Sequence, residues 1–125
     1  MKKETIKFSA PYDKLQQEEY HTVRGKGAIS EYTIGSILEV IVMGKVDHFA
    51  KITAMEQKHL TDLTDDFLFT DTSIRGKGTT DKYQFVKVLN SFRGEYAQIT
   101  VESNPLFTIL YLKKVKSRQV QSTLF

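Results

Sequence analysis

Cysteine is absent from this 125-residue chain, and proline occurs only at Pro11 and Pro105. Without cysteine there is neither a disulfide nor a thiolate metal site, and the expected compartment is the reducing cytoplasm. No stretch approaches the roughly 18 uninterrupted apolar residues of a membrane-spanning helix. The opening residues, Met1-Lys2-Lys3-Glu4-Thr5, lead directly into a strand-like segment, with no apolar run of the signal-peptide kind. His21, His48 and His59 lack metal-ligand spacing, so the sequence predicts no metal and no cofactor.

What is present suits one domain with a real hydrophobic core: apolar residues make up 40% of the chain. The net charge of +3 is modest, but its distribution is uneven. Lys113, Lys114, Lys116 and Arg118 crowd the C-terminal end, whereas acids gather at Glu18-Glu19 and at Asp62, Asp65, Asp66 and Asp71. Such segregation permits a basic face.

The tetrapeptide Arg-Gly-Lys-Gly occurs twice, at Arg24 to Gly27 and at Arg75 to Gly78. Glycine permits positive φ, which turns backbone N–H groups outward, and the neighbouring Arg and Lys supply positive charge. Both loops therefore suit an anion, and together they predict one electropositive hollow around a shared ligand. The plainer alternative is a pair of ordinary glycine turns kept soluble by their cations.

Along the chain, Thr5 to Phe8 reads as a short strand. Ala10 to Tyr20 reads as a helical turn or helix on the surface, with Pro11 near its start. His21 to Arg24 is extended. Ile37 to Met43 is a β-rich buried run, followed through a turn over Gly44 to Asp47 by the alternating segment Phe49 to Met55, a hairpin. Thr61 or Thr64, followed by acids, reads as an N-cap, and Thr80-Asp81 can cap a helix from about Lys82 to Phe92. Tyr96 to Val101 and Leu106 to Val115 read as closing strands. Residues 1–115 thus predict an α+β domain, a small mixed β-barrel with two or three short helices, and residues 116–125 a flexible basic tail.

The order of features resembles the ASCH domains, relatives of the PUA-like RNA-binding barrels. The likeness runs over residues 5 to 115. It rests on a first strand, a short helix, a Thr-x-Arg element (Thr22-Val23-Arg24) and a Gly-led strand (Ile34-Gly35-Ser36-Ile37-Leu38). An acidic helix (Leu63 to Leu68) and a final helix with closing strands complete it. The resemblance implies a cleft for RNA or a nucleotide, lined by Thr22 and Arg24, with a nearby carboxylate, Asp71 in first place and Asp65 or Asp66 as substitutes. Tyr20 or Tyr32 could stack a base, His21 adjoins the element, and Arg24, Lys26, Arg75 and Lys77 would meet phosphates.

Some ASCH relatives are amidohydrolases of acetylated cytidine, with the pattern Gly-x-Lys-x-x-Thr-x-Arg, Thr as nucleophile and Lys as base. A Thr hydroxyl attacks only if a base removes its proton. In this chain the Lys position holds Glu19 and the Gly position Gln17. The sequence therefore points first to binding, with a hydrolase using Thr22 and Asp71 as the alternative. A separate lead is the terminal Gln121-Ser122-Thr123-Leu124-Phe125, which resembles the Gln-x-x-Leu-Phe peptides that dock on sliding clamps. There Gln121, Leu124 and Phe125 would be the anchors.

Overall fold

The β-branched run at Ile37 becomes β3 (Ile37–Val42), and the chain returns at once as β4 (Lys45–His59). The connection is a two-residue turn with φ of 49° at Met43 and 82° at Gly44. Two positive φ values in succession match the right-handed twist of the flanking strands, as in a type I′ hairpin. Met43 occupies a conformation uncommon for a side-chain-bearing residue.

The computed structural model describes residues 2–92 and 98–116. One five-stranded sheet runs in the order β1-β3-β4-β5-β2, with β1 at Thr5–Phe8, β2 at Glu19–Gly25 and β5 at Leu106–Val115. β1 lies parallel to β3, and the other pairs are antiparallel. Register shifts at Val40/Ile41 and at Ile52/Ala54 bend the long central strand. The sheet curls until its two edges meet: Arg24 Nη2 on β2 donates to the Lys7 carbonyl on β1 at 3.0 Å. The result is a half-barrel in an α+β domain, the architecture expected from the sequence.

Helix α1 spans Ala28–Glu31, α2 Asp65–Thr72 and α3 Lys82–Asn90. Thr64 Oγ1 accepts from the Phe67 N–H at 3.2 Å, and Asp81 Oδ1 from the Tyr83 N–H at 2.8 Å, so Thr64 rather than Thr61, and Asp81 rather than Thr80, are the caps. The sheet is buried on two sides. Ile6, Phe8, Leu38, Val40, Ala50, Ile52, Leu110 and Leu112 pack in one cluster. Val23, Phe107 and Ile109 pack in a second, with Leu68 of α2 and Phe85 and Leu89 of α3.

Two expected elements differ. The helical turn or helix anticipated over Ala10 to Tyr20 is the shorter of the two, a single 3-10 turn at Asp13–Gln16, and the chain is already extended from Glu19. Its apolar residues are too few for a helical stripe, and β5 offers every residue from Glu19 to Gly25 a ladder partner. The strand anticipated over Tyr96 to Val101 lies partly outside the described residues. Its described part, 98–101, is irregular, with Thr100 and Ser103 exchanging side-chain-to-backbone hydrogen bonds at 3.1 and 3.2 Å. Gln121, Leu124 and Phe125 lie outside the described residues. Among the described residues no helix is long and apolar enough to cross a membrane.

Candidate active site

Thr22 sits on β2 between Tyr20 and Arg24, and the twofold alternation of a strand puts all three on one face. Beneath the hydroxyl lies a lysine from the 3-10 turn. Lys14 Nζ stands 3.2 Å from Thr22 Oγ1 and 2.7 Å from Asp71 Oδ1, which belongs to the last turn of α2. All three groups are buried, with Lys14 4%, Thr22 3% and Asp71 9% exposed. Three separate elements therefore deliver a nucleophile-type hydroxyl, an amine and a carboxylate to one point.

The electrostatics of Lys14 follow from its surroundings. Burial holds its pKa below the ordinary lysine value of 10.5, while the charge and hydrogen bond of Asp71 pull it back up and the Arg24 charge lowers it further. The ammonium also lies 5.4 Å from the ring centres of Phe8 and Tyr12. A lysine depressed in this way can hold and return a proton nearer neutrality than a free one.

Thr22, Lys14, Asp71 and Arg24 open into a cleft of about 740 Å³. That lies within the range of about 300–1,000 Å³ typical of small-molecule sites. Its walls are largely apolar, with Phe8, Tyr12, Ile41, Ile74, Phe85 and Phe92 among them. Arg24 lies over the Phe8 ring at 4.9 Å, and its Nε–H is buried without a hydrogen-bond partner among the described residues.

The other predicted positions scatter. Arg75 and Lys77 are exposed and do not line the cleft; the second loop contributes only Ile74 to its wall. Lys26 is likewise exposed and outside it. The two Arg-Gly-Lys-Gly copies are not equivalent, because Gly76 has φ of 77° in a tight turn whereas its counterpart Gly25 pairs with Phe107 inside β2. The single shared hollow expected between the two loops is thus not formed. Gly78 is required for another reason: a Cβ there would meet Ser73 Oγ at 2.4 Å and the Phe69 carbonyl at 2.7 Å. Gly78→Ala is expected to cost about 1–3 kcal/mol of folding stability, read by urea unfolding.

Tyr20 and Tyr32 are packed inside rather than free to stack a base: Tyr20 Oη is 2.6 Å from His48 Nε2, and Tyr32 Oη donates to the Thr5 carbonyl. His21 points away from Thr22 and stacks on Phe67, ring centres 4.0 Å apart. Asp65 and Asp66 are exposed in the first turn of α2, where they complement the helix dipole. Lys14 went unnoticed in the sequence because it carries no spacing relation to Thr22 or Asp71. A lone lysine between Asp13 and Leu15 gives no signal until the turn folds under β2. Among the described residues no three His, Asp or Glu side chains are grouped to hold a metal.

An archaeal protein of Methanocaldococcus jannaschii, described as uncharacterized protein MJ0364, is 32% identical over 118 residues, covering 88% of this chain and 95% of its own. The chain belongs to the family of that protein. No family model matches the chain, and no solved structure matches it. Membership in this family therefore carries the fold across nearly the whole of both chains, while the chemistry has to be argued from the site itself.

Proposed function

We propose that the protein is an amidohydrolase acting on an N-acylated nucleoside of the acetylated-cytidine type, with Thr22 as nucleophile. The observation that carries this reading is the buried contact of Lys14 with both Thr22 and Asp71. It supplies the base that the local sequence lacked, from eight residues upstream instead of three. Lys14 in its neutral form takes the Thr22 hydroxyl proton as Oγ1 attacks the amide carbonyl. The same proton passes to the departing nitrogen, leaving an acyl ester on Thr22. Water then attacks that ester, gives a proton to Lys14, and frees the acid as the proton returns to Oγ1. Asp71 holds the amine in place between transfers, and the Arg24 guanidinium lines the cleft beside them.

The likeness to ASCH domains supports the same substrate class, and the apolar walls suit a flat base better than a polyanion. Incubation with N-acetylated cytidine should release acetate with wild type and none with Thr22→Ala. Failure of wild type to cleave any acylated nucleoside in a panel removes the reading.

Binding of a nucleotide or RNA is the second reading, favoured by one specific feature. Beside the cleft, and sharing Lys7 and Arg24 with it, lies a smaller hollow of about 450 Å³ lined also by Lys3 and Tyr32. A phosphate attached to a ligand in the cleft would meet these cations. Each phosphate contact on a single strand adds about −0.7 to the log–log salt slope. Lys7→Ala and Arg24→Ala should each flatten the slope measured with a short RNA, whereas Arg75→Ala should leave it unchanged. Equal slopes for all three variants would exclude this hollow.

A further inference from the structure

The second Arg-Gly-Lys-Gly copy does hold an anion, and the anion is part of the chain. Arg75 and Gly76 both have positive φ, 53° and 77°, at the tip of a tight turn closed by reciprocal hydrogen bonds between Ile74 and Lys77. Their two N–H groups converge on the Asp13 carboxylate: Arg75 N–H donates to Oδ1 at 2.8 Å and Gly76 N–H to Oδ2 at 2.7 Å. Successive backbone donors in this conformation form an anion-holding concavity. A third bond, from the Asp13 N–H to the Ser73 carbonyl at 2.8 Å, fastens the same residue.

Asp13 immediately precedes Lys14, and Ser73 follows Asp71 by two residues. We propose that Asp13 is a positioning residue for Lys14: the turn at Arg75 and Gly76 grips its carboxylate and so fixes the lysine amine against Thr22 and Asp71. The reason lies in the weakness of the local structure. The 3-10 turn Asp13–Gln16 is a single turn without a side-chain cap, and such turns hold poorly alone. Lys14 carries four rotatable bonds, whose freedom must be removed for Nζ to meet two partners at once. The clasp ties the backbone on one side of the lysine to the loop that leaves α2, while the Asp71 contact ties its tip to α2 itself. With both ends referred to one element, the amine has little room to wander. Asp13 itself does not line the cleft, so it acts only through its neighbour.

The catalytic consequence rests on the hydrolase reading, but the positioning can be measured without turnover. Lys14 in the intact protein should resist acylation by acetic anhydride relative to exposed Lys87, as counted by mass spectrometry. Asp13→Ala removes both charge-assisted bonds and should raise the relative labelling of Lys14 about tenfold. Asp13→Asn, which keeps one acceptor, should fall between and serves if the alanine variant does not fold. Where turnover is detected, kcat should fall about tenfold in Asp13→Ala with KM nearly unchanged. Raised Lys14 labelling in both variants, with no turnover in any of them, supports the clasp and removes only the hydrolase reading. Unaltered Lys14 labelling in both variants overturns the proposal.

Discussion

Asp71→Ala should lower folding stability by about 3–5 kcal/mol, the range for stranding one member of a buried ion pair. Lys14 and Asp71 meet at 2.7 Å with side chains only 3% and 10% exposed, so removing the carboxylate leaves the ammonium largely buried without its counter-charge. His21, the neighbour on β2, feels the same carboxylate, which raises its pKa against the larger lowering by burial. Adding Lys14→Met to Asp71→Ala should recover much of the loss, because the methionine needs no counter-charge and fits among the Phe8 and Tyr12 rings. Urea unfolding of the two single variants and the double variant checks this. Additive losses would show that the pair is not energetically coupled.

The second large effect concerns protons. On the proposed hydrolase reading, Thr22→Ala should reduce amide cleavage at least about 10³-fold, as loss of a nucleophile does in triad hydrolases. Wild-type turnover should rise with pH through the folded-state pKa of Lys14, below the ordinary value of 10.5, because only the neutral amine accepts the hydroxyl proton. Stability has a matching sign. Between the lowered folded pKa and 10.5 the unfolded chain binds more protons than the folded one, so stability climbs with pH across that window. Once the pH falls below the folded value, both states carry the proton and that contribution is lost. In Lys14→Met both the rising limb of turnover and this climb in stability should vanish, as measured by rates and by urea unfolding at a series of pH values.

The unequal fates of the two repeated loops explain why function was harder to see than fold. Their letters are identical, yet one begins inside β2, where Gly25 pairs with Phe107, and the other forms a free-standing tight turn. Only the turn has the successive left-handed residues that gather N–H groups, and its anion comes from a residue more than 60 positions earlier. Arg24 reaches the cleft because its strand ends at the point where the sheet edges close, whereas Arg75 and Lys77 face outward from their turn.

Periodicity, caps and turn chemistry determined β1, the β3–β4 hairpin, both longer helices and the full extent of β5, since these depend on neighbours a few residues apart. The same local information also marked Thr22, Arg24 and Asp71 through their family likeness. Lys14 could not be found that way. It meets Thr22 and Asp71 only because a short turn, a strand and the end of a helix, separated by 8 and 57 positions, are folded onto one another. Proximity and desolvation belong to the assembled sheet and its helices, and no stretch of sequence carries them alone.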